Sequence, residues 1–124
     1  MKAILLVFAG GGFGSILRYL LGRWIGAWNQ FPAGTLIINI VACLVLGVVV
    51  GLADQKQILS PATRLFLVVG FCGGFSTFST FSYETLQLLQ GGLSTQAMLY
   101  ILLSIVLCLV ATFGGLYLGQ HSSP

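Results

Sequence analysis

Four apolar runs, about Ala3–Leu21, Gly34–Ala53, Arg64–Leu89 and Gln96–Leu118, reach or approach the ~20 residues that a helix needs to cross the hydrocarbon of a bilayer. In that solvent every backbone N–H and C=O must be paired within the protein, and for runs of this length the helix is the structure that does so. The chain is therefore expected to be an all-α integral membrane protein with four transmembrane helices. Only 6% of its residues are charged against 57% hydrophobic, where soluble domains carry about a quarter charged. The connections Arg23–Pro32, Asp54–Pro61 and Gln90–Thr95 are short and polar, with Pro32 and Pro61 near helix starts and Gly91-Gly92 just past a helix end. They leave no room for a second domain, so residues 1–124 are read as one transmembrane domain. The first run follows Lys2, is too long for a signal-peptide core and lacks a small-x-small cleavage site before Arg23. It is expected to stay in the mature protein, with Trp24 and Trp28 at headgroup level beyond it.

The net charge of +3 rests on five scattered basic residues, which form no nucleic-acid footprint. With an even number of spans, Lys2, Lys56 and Arg64 share one side and Arg18 and Arg23 the other. A bias of three to two orients a membrane protein weakly, which permits insertion both ways and an antiparallel homodimer. Cys43, Cys72 and Cys108 lie in apolar runs without a CxxC spacing, and are read as small core residues.

Within the third run, Gly70 to Glu84 reads GFCGGFSTFSTFSYE. Ser76, Thr77, Ser79, Thr80 and Ser82 need partners at membrane depth, so they must face protein, backbone or water. Gly73-Gly74 weakens the helix there, and at about 26 residues the run is longer than a straight crossing requires, so a glycine break is expected near its middle. The Phe-Ser-Thr triplet repeats every three residues and winds around a helix, leaving Phe78 and Phe81 as neighbours on one face. Hydroxyls that only pack helices are the bland reading; with the glycines and interleaved phenylalanines, a polar pathway is preferred.

Asn39 sits several residues inside the second run with Thr35 four residues before it on the same face. Its amide is either interhelical glue or a donor to an anion, and the sequence leaves both open. Tyr100, Ser104 and Cys108 follow at steps of four and draw a graded polar stripe along the fourth run. Gly10-Gly11-Gly12 and Gly14 permit close helix approach in the first run. Arg18 beyond them either snorkels toward the headgroups or draws anions into a vestibule. No Walker loop, zinc motif or catalytic histidine accompanies these features, the sole histidine being His121, so no enzyme is expected. Glu84 is the only carboxylate near membrane depth, and thus the only candidate for a proton-coupled exporter.

These residues resemble the Fluc (CrcB) family of small fluoride channels over essentially the whole length. The resemblance rests on Gly11-Gly12-Phe13-Gly14-Ser15 with Arg18-Tyr19, on Gly34-Thr35-Leu36 with Asn39, and above all on Gly70 to Ser82 with Glu84. It implies an antiparallel, dual-topology homodimer in a prokaryotic cell membrane, with two fluoride pores built from both subunits and conducting passively. It also implies a structural sodium ion at the dimer interface, held by the main-chain carbonyls of Gly73 and Ser76. By the same resemblance Asn39, Phe78, Phe81, Thr35, Thr80, Tyr100 and Ser104 line the pore, with Arg18 and Glu84 in a vestibule. Two departures stand out: Cys108 where a further serine would complete the polar track, and Ser76 where threonine is common. The rival readings are a small dual-topology multidrug exporter, which needs a membrane carboxylate that the first span lacks, and a non-transporting assembly subunit.

Overall fold

The computed structural model describes residues 1–56 and 59–122. Helix α1 (Lys2–Ile25) and α2 (Ala33–Lys56) are each followed by a short connection. The third crossing is composite: α3 (Pro61–Arg64), a wide-turn π-helical stretch Leu65–Cys72, α4 (Gly73–Phe75) and α5 (Phe78–Gln90). Helix α6 (Ser94–Gln120) completes the chain. All four crossings are long and apolar enough to span a membrane. Their cores match the four apolar runs, and the helices extend a few residues further into the flanking polar segments.

The ends are set by local chemistry. Ser60 caps the third crossing by accepting from the Thr63 N–H at 3.1 Å, with Pro61 in the first helical turn. Helix α5 ends in a Schellman arrangement: Leu93 N–H donates to the Leu88 carbonyl at 2.8 Å and Gly92 N–H to that of Leu89 at 3.2 Å, with Gly92 at φ 76°. Between α1 and α2, Trp28 and Phe31 exchange both backbone hydrogen bonds across Asn29 and Gln30, whose positive φ values are those of a tight primed turn. The middle of the expected Asp54–Pro61 connection, residues 57 and 58, lies outside the described residues.

Glycines decide which crossings touch. A Cβ on Gly10 or Gly14 would collide with the backbone of the third crossing at Phe66 or Phe71, and one on Gly74 with the Gly11 carbonyl. A Cβ on Gly47 would meet the Thr112 carbonyl, and one on Gly115 or Gly119 the carbonyls of Leu44 or Val48. Contacts advance in step along both partners, so α1 runs parallel to the third crossing and α2 parallel to α6. Each of the four helices presents a glycine pair four residues apart, Gly10/Gly14, Gly70/Gly74, Gly47/Gly51 and Gly115/Gly119, the small-xxx-small pattern that brings backbones together in lipid. Two small cores lie between these pairs. One gathers Leu36, Leu88, Ala97 and the fully buried Tyr100, the other Ile38, Ala42 and Phe75.

The third crossing interrupts its helix after the glycines and not at them. Gly73 and Gly74 are helical, whereas Ser76 (φ −83°, ψ 159°) and Thr77 (φ −153°, ψ 120°) are extended. The expected glycine break thus shifts by a few residues, because Gly74 is used for backbone packing on α1 and Asn39 supplies partners for an opened turn further on.

Candidate functional site

Asn39 holds the extended turn through both ends of its amide. Thr77 N–H donates to Asn39 Oδ1 at 2.9 Å, and Asn39 Nδ2 donates to the Thr77 carbonyl at 3.2 Å. These two bonds replace helical partners that the interruption removes, which satisfies buried backbone that would otherwise cost ~1–3 kcal/mol per group. In a continuous helix the Thr77 N–H would bond the Gly73 carbonyl; its diversion to Asn39 leaves that carbonyl without its helical donor.

Thr77 restarts the helix. Its Oγ1 accepts from the Thr80 N–H at 3.1 Å, an N-cap, and hydrogen-bonds to Thr80 Oγ1 at 3.2 Å. Ser76 Oγ instead donates back to the Cys72 carbonyl at 2.7 Å. Thr77, Thr80 and Ser76 are thus bound up in building the turn, while Ser82 lies exposed on α5.

Behind this turn, α2 and α6 carry matching steps of four. Thr35 lies against the Tyr100 phenol, whose hydroxyl donates to Glu84 Oε1 at 2.9 Å. Asn39 and Ser104 share the next level and Cys43 and Cys108 the one after; all four line a cavity of about 380 Å³ together with Phe78 and Phe81. The two phenylalanine rings are 5.4 Å apart, and Phe81 packs on Tyr100 at 5.0 Å. Phe78 is 79% exposed and so contributes little to the packing of its own chain. Ser104 is buried, yet its hydroxyl has no partner among the described residues.

A second cavity of about 320 Å³ opens on the other side of Thr77 and is lined by Arg18, Thr35, Thr80 and Glu84. Arg18 Nε donates to the Gly74 carbonyl at 3.0 Å, the negative end of the helix that stops at Phe75, and the same side chain fronts the cavity. The structure therefore brings Asn39, Thr35, Thr80, Phe78, Phe81, Ser104, Arg18 and Glu84 onto two adjoining cavities that share Thr77, while Tyr100 is fully buried behind them and bonded to Glu84. Ser76 belongs to the opened turn and lines the larger cavity, and Gly73 lies in α4 just before it.

One expectation needs correction. Cys72 is a buried core residue, but Cys43 and Cys108 line the larger cavity. The steps Thr35, Asn39, Cys43 and Tyr100, Ser104, Cys108 are visible in the sequence; what the sequence lacks is the parallel register of α2 and α6 that aligns them.

The sequence matches the family described as CrcB-like protein, Camphor Resistance (CrcB), over residues 5–116. Three relatives that carry the name fluoride-specific ion channel FluC align over nearly their whole length. The protein of Flavobacterium psychrophilum is 43% identical across 98% of this chain and 99% of its own. That of Nitrobacter winogradskyi is 45% identical across 91% of each chain. The one from Phocaeicola vulgatus is 46% identical across 97% of this chain and 100% of its own. Four span-length helices, a hydroxyl- and phenylalanine-lined cavity and these full-length matches together make this chain a multi-pass membrane protein of the CrcB-like family.

Proposed function

We propose that the protein is a fluoride-selective channel that lets cytoplasmic fluoride leave a prokaryotic cell by passive electrodiffusion, working as an antiparallel homodimer with two pores. The observation that carries this reading is the buried Ser104 hydroxyl, unpartnered on the wall of a cavity whose other walls are Phe78, Phe81 and Asn39. The relatives' shared name supports fluoride as the ion.

Fluoride is small and strongly hydrated, so a conductor must replace water with donors of moderate strength. Ser104 supplies an O–H. Asn39 holds the turn with one N–H of its amide and has a second to offer. Phe78 and Phe81 line the same space, and an aromatic ring edge offers an anion positively polarised C–H groups. A lysine or arginine at this level would bind the anion too firmly for release, and among the described residues none lines this cavity. Fluoride would pass from the Arg18 side along Thr35, Thr80 and Tyr100, then past Asn39 and Ser104 between the phenylalanines. Arg18 raises the local anion concentration at the mouth, and Glu84, held by Tyr100, sits at the same end.

The second copy enters through the surfaces that this chain leaves open. Phe78 is mostly exposed, and a Cβ built on Gly73 meets nothing within 4 Å. Gly73 and Ser76 offer backbone carbonyls there, that of Gly73 lacking its helical donor, which is the oxygen chemistry that a hard cation takes. The donor set fits a sodium ion held by two carbonyls from each copy, and such an ion would supply a fixed charge fastening the two turns together.

The test is fluoride efflux from proteoliposomes of the purified protein, with valinomycin and a potassium gradient as the only counter-current. Electrogenic efflux without a proton or sodium gradient is expected. Absence of fluoride flux, or flux that stops when the proton gradient collapses, overturns the reading in favour of an assembly subunit or a proton-coupled exporter respectively.

A further inference from the structure

Two of the three thiols in this chain share one wall. Helices α2 and α6 run parallel and in register, so Cys43 and Cys108 fall at the same level, one turn beyond Asn39 and Ser104. Both line the same cavity and neither is in a disulfide. Beyond them the glycine pairs press the two backbones together, so the thiols stand where the cavity closes. Cys72 is different: it is buried elsewhere and its thiol points to the Ala42 carbonyl at 3.8 Å.

We propose that Cys43 and Cys108 form a two-sulfur site for a soft, two-coordinate monovalent metal ion of the Ag(I) or Cu(I) class, and that its occupation closes the cavity. Soft d¹⁰ ions select sulfur and accept a linear pair of ligands, whereas zinc requires four and hard cations prefer oxygen. Among the described residues no third metal-binding side chain is at hand, which suits the two-coordinate class and no other. Binding balances simply: the metal forms one bond to each sulfur, one thiol releases its proton to water, and the product is neutral overall. Neutrality matters, because the flanking Ile105 and Leu109 make a charged product costly. Ser104, one turn before Cys108, has the unpartnered hydroxyl needed to donate to the thiolate. The metal site stands on this geometry alone; only its effect on flux rests on the cavity being the fluoride path.

Silver titration in chloride-free nitrate buffer tests both parts on the full-length protein. One Ag⁺ per chain is expected, and Cys43→Ser or Cys108→Ser should each weaken it on the order of a hundredfold, since either change converts a chelate into a single ligand. Cys72→Ser should leave the affinity unchanged. Affinity equal to the parent's in either single-thiol variant, or loss with Cys72→Ser, overturns the site. X-ray absorption on silver-loaded wild-type protein needs no variant: two sulfur neighbours uphold the site, and one or none refutes it. In fluoride-loaded liposomes Ag⁺ should stop efflux, excess dithiothreitol should restore it, and the flux of the C43S/C108S variant should be the same with and without Ag⁺. Silver held by two sulfurs with undiminished efflux keeps the site, refutes closure and overturns the placement of the fluoride path, while efflux absent before silver is added counts against the channel reading alone.

Discussion

Asn39 acts on backbone first. Its carbonyl oxygen and its amide each complete a hydrogen bond that the opened turn at Thr77 would otherwise lack, so this structural role and the ion contact proposed for the same side chain are separable by substitution. Asn39→Ala removes both bonds and leaves the Thr77 N–H unpaired, at a cost of ~1–3 kcal/mol. It should lower the thermal midpoint of the purified protein. Asn39→Asp keeps an acceptor for that N–H but sets a carboxylate beside the cavity. Repulsion of about 4 kcal/mol at 4 Å and an effective dielectric of 20 corresponds to on the order of a thousandfold in flux, so this variant should be the better folded of the two and still fail to conduct. Fluoride-electrode recordings from liposomes, paired with melting curves, read the two effects separately; equal conduction by Asn39→Asp and the parent protein places the ion elsewhere.

Phe81 makes the same point for ring edges. It packs on Tyr100 at 5.0 Å and on Phe78 at 5.4 Å. Phe81→Ile retains most of the hydrophobic surface, gives up aromatic pairing worth ~0.5–1.5 kcal/mol and removes the polarised C–H edge. Flux should fall at least on the order of tenfold, the equivalent of one donor contact of ~1.4 kcal/mol, while the protein still elutes as the parent does. Conduction at the parental rate would remove ring edges from the mechanism.

At the level of elements, helix packing here is backbone against backbone. Gly47 and Gly115 are closed to any side chain by carbonyls of the facing helix, whereas a Cβ on Gly114 meets nothing within 4 Å. Gly115→Ala must push α2 and α6 apart and, by the cost of overpacking, destabilise by ~1–3 kcal/mol; Gly114→Ala should be neutral or gain up to ~1 kcal/mol of helix propensity. Thermal unfolding followed by the fluorescence of Trp24 and Trp28 distinguishes them. Because Cys43 and Cys108 lie on the same seam, the Gly115 variant should also weaken silver binding. The small-xxx-small pairs on all four helices are visible in the sequence, but which pair meets which is not, since spacing of four says only that a face is smooth.

For the whole molecule, the outward faces of α1 and α6 carry large apolar residues such as Phe8, Trp24, Phe113 and Tyr117. Those surfaces suit lipid or a second copy, and the proposed dual topology rests on the near balance of Lys and Arg across the two sides, which orients insertion only weakly. Cysteines introduced in the loops of an otherwise cysteine-free version should label from both faces of the membrane. Two or three added lysines in the Asp54–Pro61 segment should bias insertion to one orientation and reduce fluoride resistance in cells expressing that copy alone, with recovery when an oppositely biased copy is supplied. Labelling from one face only would refute dual topology.

The sequence by itself determined the four spans, their short polar connections, the helix start at Pro61, the helix end at Gly91-Gly92 and the polar character of Gly70–Glu84. Hydropathy, turn chemistry and helical periodicity are local, and a bilayer enforces them strictly because unpaired backbone has no water to turn to. Only the tertiary structure decided that the helix opens at Ser76–Thr77, that Asn39 is what holds it open, and that Cys43 leaves the core for the cavity wall it shares with Cys108. Each of those depends on the parallel register of α2 and α6 or on the approach of Gly74 to Gly11, and such contacts join residues tens of positions apart whose spacing along the chain carries no trace of the meeting.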